Sequence, residues 1–136
     1  MKKISPQKTI VEVGSHGYDW NITSGASPEK RSFTSTMHLA KSTQAEIKWD
    51  KTSWNSSFSY KANDGSEHEI WFLDGISAWN QHLAIKQKKF YGMSLSHIGN
   101  EDTSVWKFIS SGSLDSFNPS TLAVFPSLEG MEIGGL

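Results

Sequence analysis

The spacing of apolar positions shifts repeatedly along the chain, and each shift marks an element. Residues 8–14 are rich in β-branched side chains (Thr9, Ile10, Val11, Val13) and predict a strand. Residues 21–30 are polar, hold Gly25 and Pro28, and predict a loop. Ser32 is the expected N-cap of a helix over 33–42, with Phe33, Met37, Leu39 and Ala40 on its apolar face. From residue 44 the period falls to two. Ala45, Ile47 and Trp49 line one side of a strand over 44–49, and residues 50–57 read as a turn region. Phe58 and Tyr60 alternate on the next strand. Asn63-Asp64-Gly65 is a hairpin turn, because Asp-Gly favours positive φ. Residues 67–73 return as a strand, with Ile70 and Phe72 alternating against Glu69, Trp71 and Leu73. These segments predict three consecutive antiparallel strands.

Asp74 is the expected N-cap of a second helix over 75–88, with a buried stripe of Ile76, Trp79, Leu83 and Ile85. Lys86, Lys88 and Lys89 crowd its last turn, where cations suit the helix dipole. Residues 90–95 predict a strand, and Asp102 or Thr103 the cap of a short helix holding Val105, Trp106, Phe108 and Ile109. Residues 111–136 are rich in Ser, Gly and Pro and read as a linker-like tail. The helix at 75–88 leading into the strand at 90–95 is half of a parallel crossover. The strand at 8–14 is its expected partner. The segment at about 21–73 is then an insertion between them, within a unit covering 1–110.

Composition narrows the function classes. The chain has 136 residues, one domain's worth of material, and a formal charge of −1. No basic stripe stands out, so nucleic acid is not an expected partner. No apolar run reaches the roughly 20 residues of a membrane helix, and no signal peptide is evident after Met1. Cysteine is absent, which excludes disulfide scaffolds and thiolate metal sites. The histidines show no metal-ligand spacing, so neither metal nor cofactor is expected.

Candidate chemistry gathers at two strand ends. Tyr18, Asp19 and Trp20 follow the first, and His97 follows the last. Six tryptophans are many for this length. Indole and phenol rings can serve as platforms for pyranose rings, whose C–H faces are weakly apolar. Tyr18, Asp19 and Trp20 read either as a ring platform beside a hydroxyl-binding carboxylate, or as a corner that packs the insertion. His16 can line the same rim. Trp54, in a turn, is the tryptophan expected to be exposed. Glu101 and Asp102 are adjacent on a loop and read as a cap rather than a catalytic pair.

The ordered series Gly17-Tyr18-Asp19-Trp20, Glu46 to Asp50, Phe58-Ser59-Tyr60, His68 to Asp74, Tyr91 to Leu95 and Gly99 to Asp102 resembles the C-terminal part of family 18 glycoside hydrolases. These are chitinase-like barrels, here of the bacterial type fused to glycosyltransferase or polysaccharide deacetylase domains. The resemblance implies an α+β fold. Chitinase-insertion-like antiparallel hairpins plus a helix are flanked by the last two β/α units of an incomplete TIM-type barrel. It also implies an oligo- or polysaccharide of N-acetylhexosamine as partner, and an extracytoplasmic or cell-envelope setting within a larger protein. The family's acidic signature, Asp-x-x-Asp-x-Asp-x-Glu, is missing, and Ser96 stands where strand eight usually ends in Trp. No residue of this chain is therefore expected to be catalytic. The expected role is non-catalytic saccharide contact, with Tyr18, Asp19, Trp20, His16, Trp54 and His97 as candidate ligands. Two other roles stay open: an interaction module that self-associates through open sheet edges, and a fragment of an active glycosidase whose acid lies upstream.

Overall fold

The computed structural model of the chain describes residues 4–111, 117–118 and 121–122. Two sheets divide it. The first is a parallel pair of β1 (Ile10–Gly14) and β7 (Gly92–Ser96), with Val11 opposite Met93 and Val13 opposite Leu95. The second is an antiparallel five-stranded sheet of β2 (Gly17–Asn21), β3 (Glu29–Arg31), β4 (Lys48–Asp50), β5 (Asn55–Lys61) and β6 (Glu67–Phe72), in the order β3-β2-β6-β5-β4. The helices are α1 (Phe33–Thr43), α2 (Gly75–Gln87) and α3 (Val105–Ile109). The predicted α+β class holds: the terminal strands run parallel in one sheet, and the hairpins lie between them.

The excursion closes on itself. β2 leaves directly after β1, β6 returns directly before α2, and the two pair antiparallel with Tyr18 opposite Trp71 and Trp20 opposite Glu69. Each sheet has its own core. Val11, Val13, Met93 and Leu95 pack with Ile76, Trp79, Val105 and Phe108 of α2 and α3. Phe58, Ile70 and Phe72 pack against α1 through Met37 and Ala40.

Several local expectations need correction. Residues 17–21, read as following the end of the first strand, form a strand of the other sheet. The turn at Ser15 and His16 carries the chain from one sheet to the other. Residues 29–31, read as loop, add an edge strand. The strand expected at 44–49 begins only at Lys48. Gln44 caps α1 in the left-handed region at φ 54, and Ala45 N donates to Ala40 O at 2.9 Å, so the chain reverses before it can pair. The expected tail at 111–136 falls almost wholly outside the described residues.

Both acids expected at helix starts are placed there, with one change of role. Asp74 caps α2, its Oδ1 accepting from Ser77 N at 2.7 Å and its Oδ2 from Ser56 Oγ at 2.5 Å. Burial pushes the Asp74 carboxyl up, partly offset by the bonds from Ser56 and Ser77, with nearby Asp102 adding to the rise. Asp102 does not cap α3 from the N-cap position, which Ser104 holds. It accepts instead from Ser104 N at 2.9 Å and from Gly75 N at 2.8 Å, so one carboxylate ties the start of α2 to the approach of α3. A side chain at Gly75 would displace the Ser104 hydroxyl and crowd Asp102 Oδ2. Asp102→Ala leaves two buried N–H groups unpaired and should cost about 2 kcal/mol, read as a lower urea midpoint at unchanged m. An unchanged midpoint would show that the tie contributes nothing.

Candidate functional site

The site begins where the parallel pair ends, the end at which α/β barrels place their chemistry. Gly14 stands opposite Ser96, and the next residue, Ser15, is 1% exposed. Its hydroxyl donates to Ser96 O and, at 2.8 Å, to His97 O. His97 O also accepts from Asn100 N at 3.1 Å. These bonds hold His97 in the left-handed region at φ 58, which a non-glycine residue rarely adopts.

From this corner a row of rings runs outward. The His16 ring lies 4.7 Å from that of His97 and 4.9 Å from that of Tyr18, both near edge-to-face. Tyr18 lies 6.4 Å from Trp20. Period-two alternation puts Tyr18 and Trp20 on the face of the five-stranded sheet away from α1, where they are 38% and 43% exposed. Cross-strand pairing adds Trp71 beside Tyr18 on that face, and Lys30 on its other side. Lys30 Nζ reaches 3.5 Å from His97 Nε2. The result is an uncovered aromatic shelf with nitrogen-rich side chains at its inner end.

The same alternation removes Asp19 from the shelf. Its carboxylate is on the α1 side and 3% exposed. Arg31 Nε donates to Oδ2 at 2.6 Å, Tyr60 OH to Oδ2 at 2.9 Å, and His68 Nδ1 lies 2.8 Å from Oδ1. Burial alone would raise the Asp19 carboxyl, but the bonds from His68, Arg31 and Tyr60 outweigh it and hold it below the usual carboxylate range. Burial and the Asp19 bond push the Tyr60 phenol up to about 12. Asp19 therefore clasps β3, β5 and β6 to β2 and has no free lone pair facing Tyr18 and Trp20.

Of the six sequence-derived candidates, the structure brings His16, Tyr18, Trp20 and His97 together. It turns Asp19 inward and sets Trp54 elsewhere. Trp54 lies in the turn between β4 and β5 and lines a groove of about 240 Å³ with Asn80, Gln81, Leu83 and Gln87 of α2. Trp71 and Lys30 were missed. Trp71 alternates with Ile70 and Phe72 on β6 and so faces the other way. Lys30 had no local signal, since only the pairing of β3 with β2 brings it there.

No protein-family model matches the chain. It is similar to the uncharacterized glycosylase YvbX of Bacillus subtilis (strain 168), with 30% identity over 112 residues, covering 82% of this chain and 33% of that protein. Among solved structures it resembles the spore cortex-lytic enzyme SleL of Bacillus megaterium QM B1551, at TM-score 0.72 and 27% identity, covering 79% of this chain and 26% of that one. The chitinase of Chromobacterium violaceum ATCC 12472 shares the fold at TM-score 0.72 and 24% identity, over 80% of this chain and 34% of that one. The fold, a parallel strand pair with an α+β excursion between its strands, is shared with chitinase-like glycoside hydrolases. More narrowly, the chain is similar to a fragment of the family 18 type. It spans a third or less of the length of YvbX and SleL.

The Asp19 clasp makes a pH-dependent contribution of known sign. A carboxyl ionising more readily in the fold stabilises it fully above the unfolded value of about 4, and the contribution is lost as pH falls through the folded value. Asp19→Asn should cost about 2–4 kcal/mol at pH 7, because it removes the charge that pairs Arg31. The gap between mutant and parent should narrow in unfolding experiments below about pH 4. A gap independent of pH would refute the assignment.

Proposed function

We propose that the chain is a non-catalytic, saccharide-contacting segment of a glycoside-hydrolase-like protein, and that its ligand is a β-1,4-linked N-acetylhexosamine polymer. The observation that carries this reading is the exposed pair Tyr18 and Trp20, with half-buried Trp71 beside Tyr18 on the same sheet face, starting at the C-terminal end of the parallel pair. Exposed aromatic side chains in a contiguous band are the expected surface for stacking pyranose rings. His16 and His97 bound the band and supply ring nitrogens for hydroxyl or carbonyl groups.

The non-catalytic part rests on the carboxyl groups. Glycoside hydrolysis needs an acid with a raised pKa in reach of the substrate. Among the described residues the carboxyl whose value is pushed up is Asp74, which is 1% exposed and held by Ser56 and Ser77 at the start of α2. A buried cap cannot donate a proton to a bond lying on the shelf. The relatives named as cortex-lytic enzyme and chitinase support a cell-wall-type polysaccharide, met outside the cytoplasm as part of a larger protein. In this reading residues 1–110 form the working unit, with an insertion at about 21–73 and a linker at 111–136.

A second reading, assembly through strand edges, is favoured by one observation. Among the described residues β1 and β7 pair only with each other, which leaves an open edge on each side. Open parallel edges invite pairing with another chain. Sedimentation velocity decides: a strict monomer across micromolar concentrations removes the second reading.

Titration with chitotetraose, followed by tryptophan fluorescence, tests the first. Trp20→Ala and Trp71→Ala should each weaken binding about tenfold, whereas Trp54→Ala should leave it unchanged. No spectral change in the parent chain, or an equal loss with Trp54→Ala, contradicts it.

A further inference from the structure

Lys30 is exposed at the inner end of the shelf, yet no acid faces it in an ion pair. The ion pairs among the described residues are Arg31–Asp19, Arg31–Glu29 and His68–Asp19, and Lys30 is in none of them. Its Nζ lies 3.5 Å from His97 Nε2, and the His97 ring 4.7 Å from that of His16. Three nitrogen-bearing side chains thus meet from three separate segments: β3, the corner after β1, and the turn after β7. Bringing them together has a cost. His97 is held at φ 58 by Ser15, a backbone conformation that stores strain. His16 Nδ1 is buried and has no hydrogen-bond partner. Burial lowers the His16 pKa, and the neighbouring Lys30 and His97 lower it further.

The carboxylates around this corner are otherwise engaged or face elsewhere. Glu29 is with Arg31 and Asp19 is on the other face. Glu101 accepts from Gly99 N and Trp106 Nε1. Glu69 is opposite Trp20, at the far end of the shelf, and Glu12 is on β1 opposite Ser94.

We propose that Lys30, His97 and His16 form an anion subsite, so that the shelf takes a saccharide whose ring carries a carboxylate in preference to a neutral one. The inference rests on the saccharide reading above and specifies its ligand class. With the pyranose face on Tyr18 and Trp20, a carboxylate on a ring substituent accepts a charge-assisted hydrogen bond from Lys30 Nζ and one from an imidazole N–H. It supplies the counter-charge that the corner lacks.

The test compares two probes of nearly equal shape: the β-1,4 disaccharide of N-acetylglucosamine and N-acetylmuramic acid, and its methyl ester. Chitotetraose serves as the neutral reference. Fluorescence titration should show the acid binding about tenfold tighter than the ester. Lys30→Ala should abolish that difference. Lys30→Glu should reverse the preference. Lys30 is exposed, and far-UV circular dichroism checks that both variants fold. Equal affinity of acid and ester, or an acid preference that survives both Lys30→Ala and His97→Gln, overturns the anion subsite. If chitotetraose binds in that case, the saccharide reading stands alone. If no saccharide binds at all, both fall.

Discussion

The parallel pairing of Ile10–Gly14 with Gly92–Ser96 is the constraint on which the other features depend. It joins segments about 80 positions apart in sequence, and such a contact requires that all the intervening chain be folded back to its starting point. The antiparallel pairing of β2 with β6 does this at the neck of the excursion. Ser15 then finishes the joint. Its buried hydroxyl reaches the carbonyls of Ser96 and His97, so both strands end at one level and the corner after each is fixed. Were β1 free to slide along β7, the ring row that starts at His97 and His16 would lose its first members.

Strand β2 illustrates how one segment serves stability and recognition without conflict. Its odd positions face inward: Gly17 against Phe72 and Trp71, and Asp19 into the clasp with Arg31, Tyr60 and His68. Its even positions, Tyr18 and Trp20, face outward. A one-residue slip would exchange these roles, burying two large aromatics and exposing a carboxylate with three partners. The clasp fixes the register from one face, and so fixes what the other face displays.

Much of this architecture was legible in the sequence, for physical reasons that differ by element. The helices were read closely because their start signals are local: Ser32 and Asp74 accept from the backbone three residues on. The hairpin at Asn63-Asp64-Gly65 was equally local, with Gly65 at φ 88. Strands β2 and β3 were missed because neither carries a pattern of its own. Residues 17–21 follow β1 with only a two-residue corner, and Glu29–Arg31 becomes a strand by pairing with Gly17–Asp19, a partner that no local pattern announces. The shelf was half visible. Tyr18 and Trp20 stood out as exposed-type aromatics, and His16 and His97 as strand-end residues. For Asp19 the sequence left two readings open, a hydroxyl-binding carboxylate or a packing corner, because proximity to two aromatics says nothing about the alternation that turns it away. Trp54 was correctly read as exposed, at 40%, but exposure alone did not place it with the others.

The joint between the two sheets is open to direct observation in solution. Nuclear Overhauser contacts in a labelled sample should connect Val11 with Met93 and Val13 with Leu95 in parallel register, and the backbone protons of Tyr18 with those of Trp71 in antiparallel register. Contacts of the first kind running antiparallel, or their absence while those between Tyr18 and Trp71 persist, would contradict the account. The shelf would then have no fixed place at a strand end.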